Sequence, residues 1–207
     1  MNPLLLVDSY KVHHTKMYPK GMTKLYSNFT PRKSRMKGLD KVVFFGMQHF
    51  ILEYLIKAFD EEFFHKSEIS SLGYQLALDQ LNDGDPVKKS FVLECEKEVL
   101  IDVKEDVINE YKKHIQLDDY SHIEKLFDLG YLPIEIKAVE EGVLVPIGVP
   151  CFTIKNTHPD FGWLTNYLET LVSCMMWQPI TSATIAHEYK KILDKYAKET
   201  TGTTEGV

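Results

Sequence analysis

The strongest constraint on how this chain can fold is a block near residue 140 whose hydrophobicity changes with a period of two. Pro133-Ile134-Glu135-Ile136-Lys137-Ala138-Val139 alternates apolar and polar side chains and predicts a half-buried strand. Glu140-Glu141-Gly142 follows as a turn, Val143 to Pro146 as a second strand, Ile147-Gly148 as another turn, and Pro150 to Ile154 as a third strand. Short strands joined by tight turns predict a β-meander. Such a sheet has an apolar face to cover, and the next segment offers the cover. Phe161 to Ala186 is the most apolar stretch, but Asn166, Glu169, Gln178 and Pro179 interrupt it. A membrane span needs roughly 20 nearly uninterrupted apolar residues. The stretch therefore predicts a buried helix pair: one helix over Phe161 to Met175, a break at Pro179, and a last helix capped by Thr181 or Ser182 and reaching Lys198.

The first half is less regular. Lys24 to Phe29 alternates and predicts a strand, and Val42 to Phe45 predicts another, closed by Gly46. Met47 through Phe59 carries Phe50, Ile51, Tyr54, Leu55 and Ala58 at helical spacing. Ser67 to Asn82 predicts a helix stopped by Asn82-Asp83-Gly84-Asp85-Pro86. Glu94 to Glu110 is acidic and undecided. Asp118 to Leu129 predicts a short helix ended by Gly130 in a left-handed cap. The expected class is α+β: a mixed or antiparallel sheet domain with packed helices over residues 1–155, holding an exposed helical insertion near 60–115, then helices over 156–207. Thr200-Thr201-Gly202-Thr203-Thr204-Glu205-Gly206-Val207 reads either as the entry to a further element of a larger α/β protein or as a frayed tail.

Composition removes several function classes. Lys and Arg number 24 against 30 Asp and Glu, a net charge of -6, so a chain-wide basic footprint for nucleic acid or anionic lipid is absent. Three cysteines, Cys95, Cys151 and Cys174, form no C-x-x-C pair and fit a reducing cytosol. Cys151 and Cys174 have apolar neighbours and are expected in the core. Leu4 to Val7 is too short for a signal-peptide core. Glycine-rich phosphate loops, nucleophile elbows and zinc-protease motifs are all missing, so residue chemistry alone assigns no catalytic acid, base or nucleophile.

Two clusters of reactive side chains remain. In the stretch Asp8 to Pro19, Asp8 can cap a helix with Tyr10, His14 and Tyr18 along one side. A tyrosine ring there offers a flat face to a heteroaromatic ligand; the alternative is that these aromatics pack onto the sheet. His13 and His14 diverge on a helix and make no metal site by themselves. Pro31-Arg32-Lys33-Ser34-Arg35-Met36-Lys37-Gly38 can hold phosphate or pyrophosphate through charge-assisted hydrogen bonds, or is simply a solvated basic loop. The acidic pairs Asp118-Asp119 and Glu140-Glu141 read as solvated turns.

Several segments together resemble the nicotinamide phosphoribosyltransferase family. They are Asp8-Ser9-Tyr10-Lys11-Val12-x-His14, Lys24-x-Tyr26-Ser27, Val43-Phe44-Phe45-Gly46-Met47-Gln48, Leu132 to Gly142, Trp163-Leu164-Thr165-Asn166-Tyr167-Leu168-Glu169-Thr170, and Pro179-Ile180-Thr181-x-Ala183-Thr184. The resemblance covers nearly the whole chain outside the central insertion. It implies transfer of a phosphoribosyl group from phosphoribosyl pyrophosphate, with Mg2+, to nicotinamide, giving nicotinamide mononucleotide and pyrophosphate in NAD salvage. It also implies a cytoplasmic homodimer, in which an irregular α/β barrel of one subunit faces the N-terminal region of the other. Tyr10 then stacks on nicotinamide across the interface and Arg32 contacts phosphate. The family's catalytic histidine and its other ring-binding residues lie downstream, so the implied barrel is incomplete here. The chain alone is then expected to be inactive, needing further polypeptide or a separately encoded C-terminal half; no catalytic or metal-binding residue is assigned within it. A nicotinate phosphoribosyltransferase shares the architecture, although the D-S-Y-K and W-L-T-N-Y-L-E-T stretches favour nicotinamide. A non-catalytic dimerisation or interaction module is the remaining alternative. Nucleic-acid and membrane partners are not expected.

Overall fold

The computed structural model describes residues 2–80 and 88–207. The expected helix stop at Asn82 to Pro86 lies outside them. The class is α+β, with two small antiparallel sheets wrapped by helices. In the larger sheet β5 (Phe152–Asn156) is central, with β1 (Tyr26–Phe29) on one side and β3 (Ile134–Ala138) on the other. Phe152, Ile154 and Asn156 of β5 point into the core while Thr153 and Lys155 are half-buried, as a period of two requires. Phe29 lies opposite Phe152, and their rings stack at 5.0 Å.

The block around residue 140 is not a meander. Its middle strand, β4 (Leu144–Pro146), leaves the other two and pairs with β2 (Lys41–Val43), placing Val42 opposite Val145. Beyond the paired residues, Phe44 N–H donates to Val143 O (3.0 Å) and Gly142 N–H to Phe44 O (2.8 Å). This pairing sends Val145 and Phe44 into the core. Alternation identified the strands, but it carries no information about which strand each one joins.

α1 (Met47–Phe50) runs through a π-helical stretch (Ile51–Lys57) into α2 (Ala58–Glu62). Gly46 precedes it with φ 97°, and a Cβ at this position would come within 2.8 Å of the Pro179 ring. Only glycine meets both demands. α3 (Lys66–Gln80) packs along α4 (Lys88–His114), which absorbs the undecided acidic stretch. α4 is not wholly exposed: Val103, Val107, Ile108 and Tyr111 are buried, while Leu93, Leu100 and Ile101 face solvent. α5 (Ser121–Leu129) buries Ile123, Leu126 and Phe127 and ends at Gly130 in the left-handed conformation (φ 74°). Phe127 joins Phe59, Phe63 and Phe64 in a tilted and edge-on aromatic cluster.

The last helices differ from expectation. α6 (Gly162–Tyr167) and α7 (Glu169–Thr201) are separated at Leu168, and Pro179 lies inside α7. Interior proline costs a helix about 3 kcal/mol; here the surroundings hold it, with the Pro179 ring seated on Gly46 and Met176 and Ile180 buried beside it. Cys151 is buried, which pushes its thiol up to about 11. Cys174 is exposed, contrary to expectation, because α7 turns Leu171, Val172 and Met176 inward instead.

A buried hydroxyl chain ties three elements together. Tyr167 OH donates to Leu4 O (2.9 Å), so the 2.7 Å bond between the hydroxyls of Tyr111 and Tyr167 has Tyr111 as donor. Tyr167→Phe leaves a buried carbonyl and a buried hydroxyl unsatisfied. The expected cost is about 1–3 kcal/mol, read as a lower urea midpoint with an unchanged slope. Nearby, the His122 ring meets the Trp163 ring edge-on at 4.9 Å, and its Nε2 is buried with no hydrogen-bond partner among the described residues. Burial pulls its pKa down from 6.5 to about 4, against a smaller opposing pull from Asp119. Between those values the unfolded chain binds the proton that the folded chain refuses, so this residue makes stability rise with pH. His122→Phe is expected to flatten the fall in urea midpoint between pH 6.5 and pH 4; an identical fall in both proteins would remove His122 as its source.

Candidate functional site

The N-terminal segment Ser9–Lys16 winds as a 3-10 helix and rests on α6. Asp8 does not cap it through its side chain. Instead Asp8 N–H donates to Thr170 Oγ1 (3.2 Å), and Thr170 Oγ1 donates to Asp8 Oδ2 (2.8 Å), fastening the segment to the first turn of α7. Lys11 is buried, 2% exposed, with Nζ 2.5 Å from Glu169 Oε2 and 3.3 Å from Asn166 O. A charged lysine is seldom buried without a partner. Here the partner is an acidic residue at the start of a helix, where the macrodipole also favours negative charge.

Tyr10 lies between these two fastenings and is 58% exposed. It does not pack onto the sheet. Its ring centroid is 5.4 Å from that of His14, and Lys11 Nζ lies 5.6 Å from it. The expected line of Tyr10, His14 and Tyr18 divides, because the 3-10 helix ends at Lys16, before Tyr18. Tyr18 is half-buried, and its hydroxyl accepts from Asn166 Nδ2 (3.1 Å). His13 is directed elsewhere, into a cleft of about 670 Å3 shared with Glu110 and His114 of α4.

The basic loop also divides. Arg32 borders a cleft of about 410 Å3 with Ser27, Thr30, Thr165, Glu169 and Ser173. Lys33 and Arg35 border another, of about 500 Å3, with Trp177, Thr181 and Ile185 of α7. Arg32 is exposed, and in its cleft the Thr165 hydroxyl is buried with no hydrogen-bond partner among the described residues. Glu169 lines this cleft and also holds Lys11, so Tyr10 and Arg32 flank one anchoring carboxylate.

The acidic turns are structural. Glu141 Oε1 accepts from Gln48 N–H (2.8 Å) at the start of α1. Asp118 pairs with Lys16 (2.7 Å), which holds its carboxyl below the usual range, and Asp119 accepts from Ser121 at the start of α5. Sequence reasoning missed the roles of Asn166, Glu169 and Thr170. The available signal was polarity inside an apolar run, since a polar group carried into a core needs a partner.

Comparison with known proteins adds to this geometry. Residues 2–62 match the family model described as nicotinamide phosphoribosyltransferase, N-terminal domain. A nicotinamide phosphoribosyltransferase of Acinetobacter baylyi is 37% identical over 218 residues, covering 100% of this chain and 36% of the relative. The resemblance to nicotinamide phosphoribosyltransferase is thereby shown. Proteins of the same name from Mycoplasma genitalium and Xanthomonas campestris are 30% and 28% identical, over 95% and 99% of this chain and 40% and 35% of their own length. The chain thus spans between a third and two fifths of the curated nicotinamide phosphoribosyltransferases it matches.

Proposed function

We propose that this chain supplies the N-terminal part of a nicotinamide phosphoribosyltransferase acting in NAD salvage. The observation that carries the reading is similarity along the entire chain to proteins of that name, at 37% identity for the Acinetobacter relative. In this reading Tyr10, held out from its own protomer, stacks on the nicotinamide ring bound in a second copy, and Arg32 contacts phosphate groups of phosphoribosyl pyrophosphate. Stacking holds the flat base in line with the anomeric carbon, and a guanidinium stabilises charge developing on the departing pyrophosphate.

Magnesium, which the resemblance implies, would ride on the substrate's phosphate oxygens. Among the described residues no three His, Cys, Asp or Glu side chains are grouped to hold a metal ion, and no step here is assigned to one. The helices over 156–207 would begin the α/β barrel. Support for this comes from α7, where Ile185, Tyr189, Ile192 and Tyr196 recur at helical spacing yet stay exposed, together with Trp177 and Leu193.

The test is nicotinamide-dependent pyrophosphate release by the purified chain, alone and joined to polypeptide supplying the rest of the relatives' length. No turnover is expected from the chain alone. In the joined protein, Tyr10→Ala is expected to raise the KM for nicotinamide roughly 5- to 30-fold, the equivalent of a lost stacking contact of ~1–2 kcal/mol. Arg32→Ala is expected to raise the KM for phosphoribosyl pyrophosphate. Turnover at an enzymatic rate by the chain alone would overturn the division of labour.

A further inference from the structure

We propose that Lys11 is the positioning residue for Tyr10, and that it acts through Glu169. The proposal rests on the reading of Tyr10 as the stacking ring and adds how that ring is held. Tyr10 has no hydroxyl hydrogen bond among the described contacts and is more than half exposed, so its orientation has to come from its neighbours in the chain. Asp8 and Lys11, one turn apart, each bind consecutive residues at the start of α7: Asp8 binds Thr170 through two hydrogen bonds, and Lys11 binds Glu169 at 2.5 Å. Lys11 N–H further donates to Asp8 O (2.9 Å), closing the turn that contains Tyr10. Lys11 Nζ has a second fixed acceptor in Asn166 O, so the ammonium is held from two sides.

An ammonium this deeply buried is a poor way to gain stability, because desolvation offsets most of the attraction. Its geometry, however, is exacting. The ammonium must lie at one depth and one register relative to Glu169, which fixes the backbone of the adjoining residue. An apolar side chain of similar length would fill the volume but leave the turn fastened at Asp8 alone, with nothing to fix its Tyr10 end. Glu169 also borders the Arg32 cleft, so the same carboxylate sets the ring against the proposed phosphate contact.

The experiment compares Lys11→Met and Glu169→Gln in this chain, following the Tyr10 ring by 13C-tyrosine NMR, with Tyr10→Phe as the assignment control. Both variants are expected to move the Tyr10 signals towards free-chain values and to raise ring mobility, with far-UV circular dichroism unchanged. In the joined protein, Lys11→Met is expected to raise the KM for nicotinamide at least fivefold with kcat within twofold. If Lys11→Met does not fold, Glu169→Gln still decides, since the Glu169 side chain is 60% exposed. Unchanged Tyr10 signals in a folded variant would overturn the proposal, whatever Tyr10→Ala does to nicotinamide. Loosened Tyr10 signals with an unchanged KM would uphold Lys11 as the anchor and remove the stacking role instead.

Discussion

The joint at Leu168 is the constraint on which the arrangement depends. The N-terminal segment belongs to neither sheet, so its place is set by side chains rather than by a backbone ladder. Residues 166, 167, 169 and 170 supply most of those contacts. The Asn166 backbone carbonyl accepts from Lys11, while its side chain accepts from Ser27 and donates to Tyr18; Tyr167 bonds Leu4 O; Glu169 holds Lys11; Thr170 holds Asp8. Because α6 stops at Tyr167 and α7 starts at Glu169, these groups sit at the end of one helix and the start of the next. Helix ends are where polar groups are least satisfied internally and most available to a visiting segment.

This explains which parts of the fold could be read from the sequence. Strands 26–29 and 134–138 were legible because alternation is a local property of a half-buried strand; the third, expected over 150–154, lies two residues further on at 152–156. The left-handed cap at Gly130 was legible for the same reason. The pairing of β4 with β2 was not, since residues 41–43 and 144–146 lie about a hundred positions apart and neither stretch carries a mark of its partner. The break at Leu168 instead of Pro179 was also hidden. A proline's local cost is visible in any sequence, but the seat that Gly46 offers it is not.

The site was legible to a different degree. Residue chemistry marked two clusters, Asp8 to Pro19 and Pro31 to Gly38, but only the resemblance to the family narrowed them to Tyr10 and Arg32. Nothing local said that Tyr10 would be exposed while Lys11 beside it is buried, an inversion of the usual order of tyrosine and lysine. Nor could charge count alone divide the basic loop, in which Arg32 borders one cleft and Lys33 and Arg35 another.

That inversion separates stability from positioning. A tyrosine held out in water gives up several tens of Å2 of apolar burial, worth roughly 25 cal/mol per Å2, and a buried lysine recovers little of it. The core can bear both, because it is anchored elsewhere by Phe44, Phe50, Phe59, Phe63 and Phe152. With stability supplied by that aromatic interior, the surface turn at residues 8–11 is free to be organised around polar geometry. Directional bonds to Glu169 and Thr170 are better suited than apolar contacts to hold one ring in one place, since apolar packing tolerates sliding and a hydrogen bond does not.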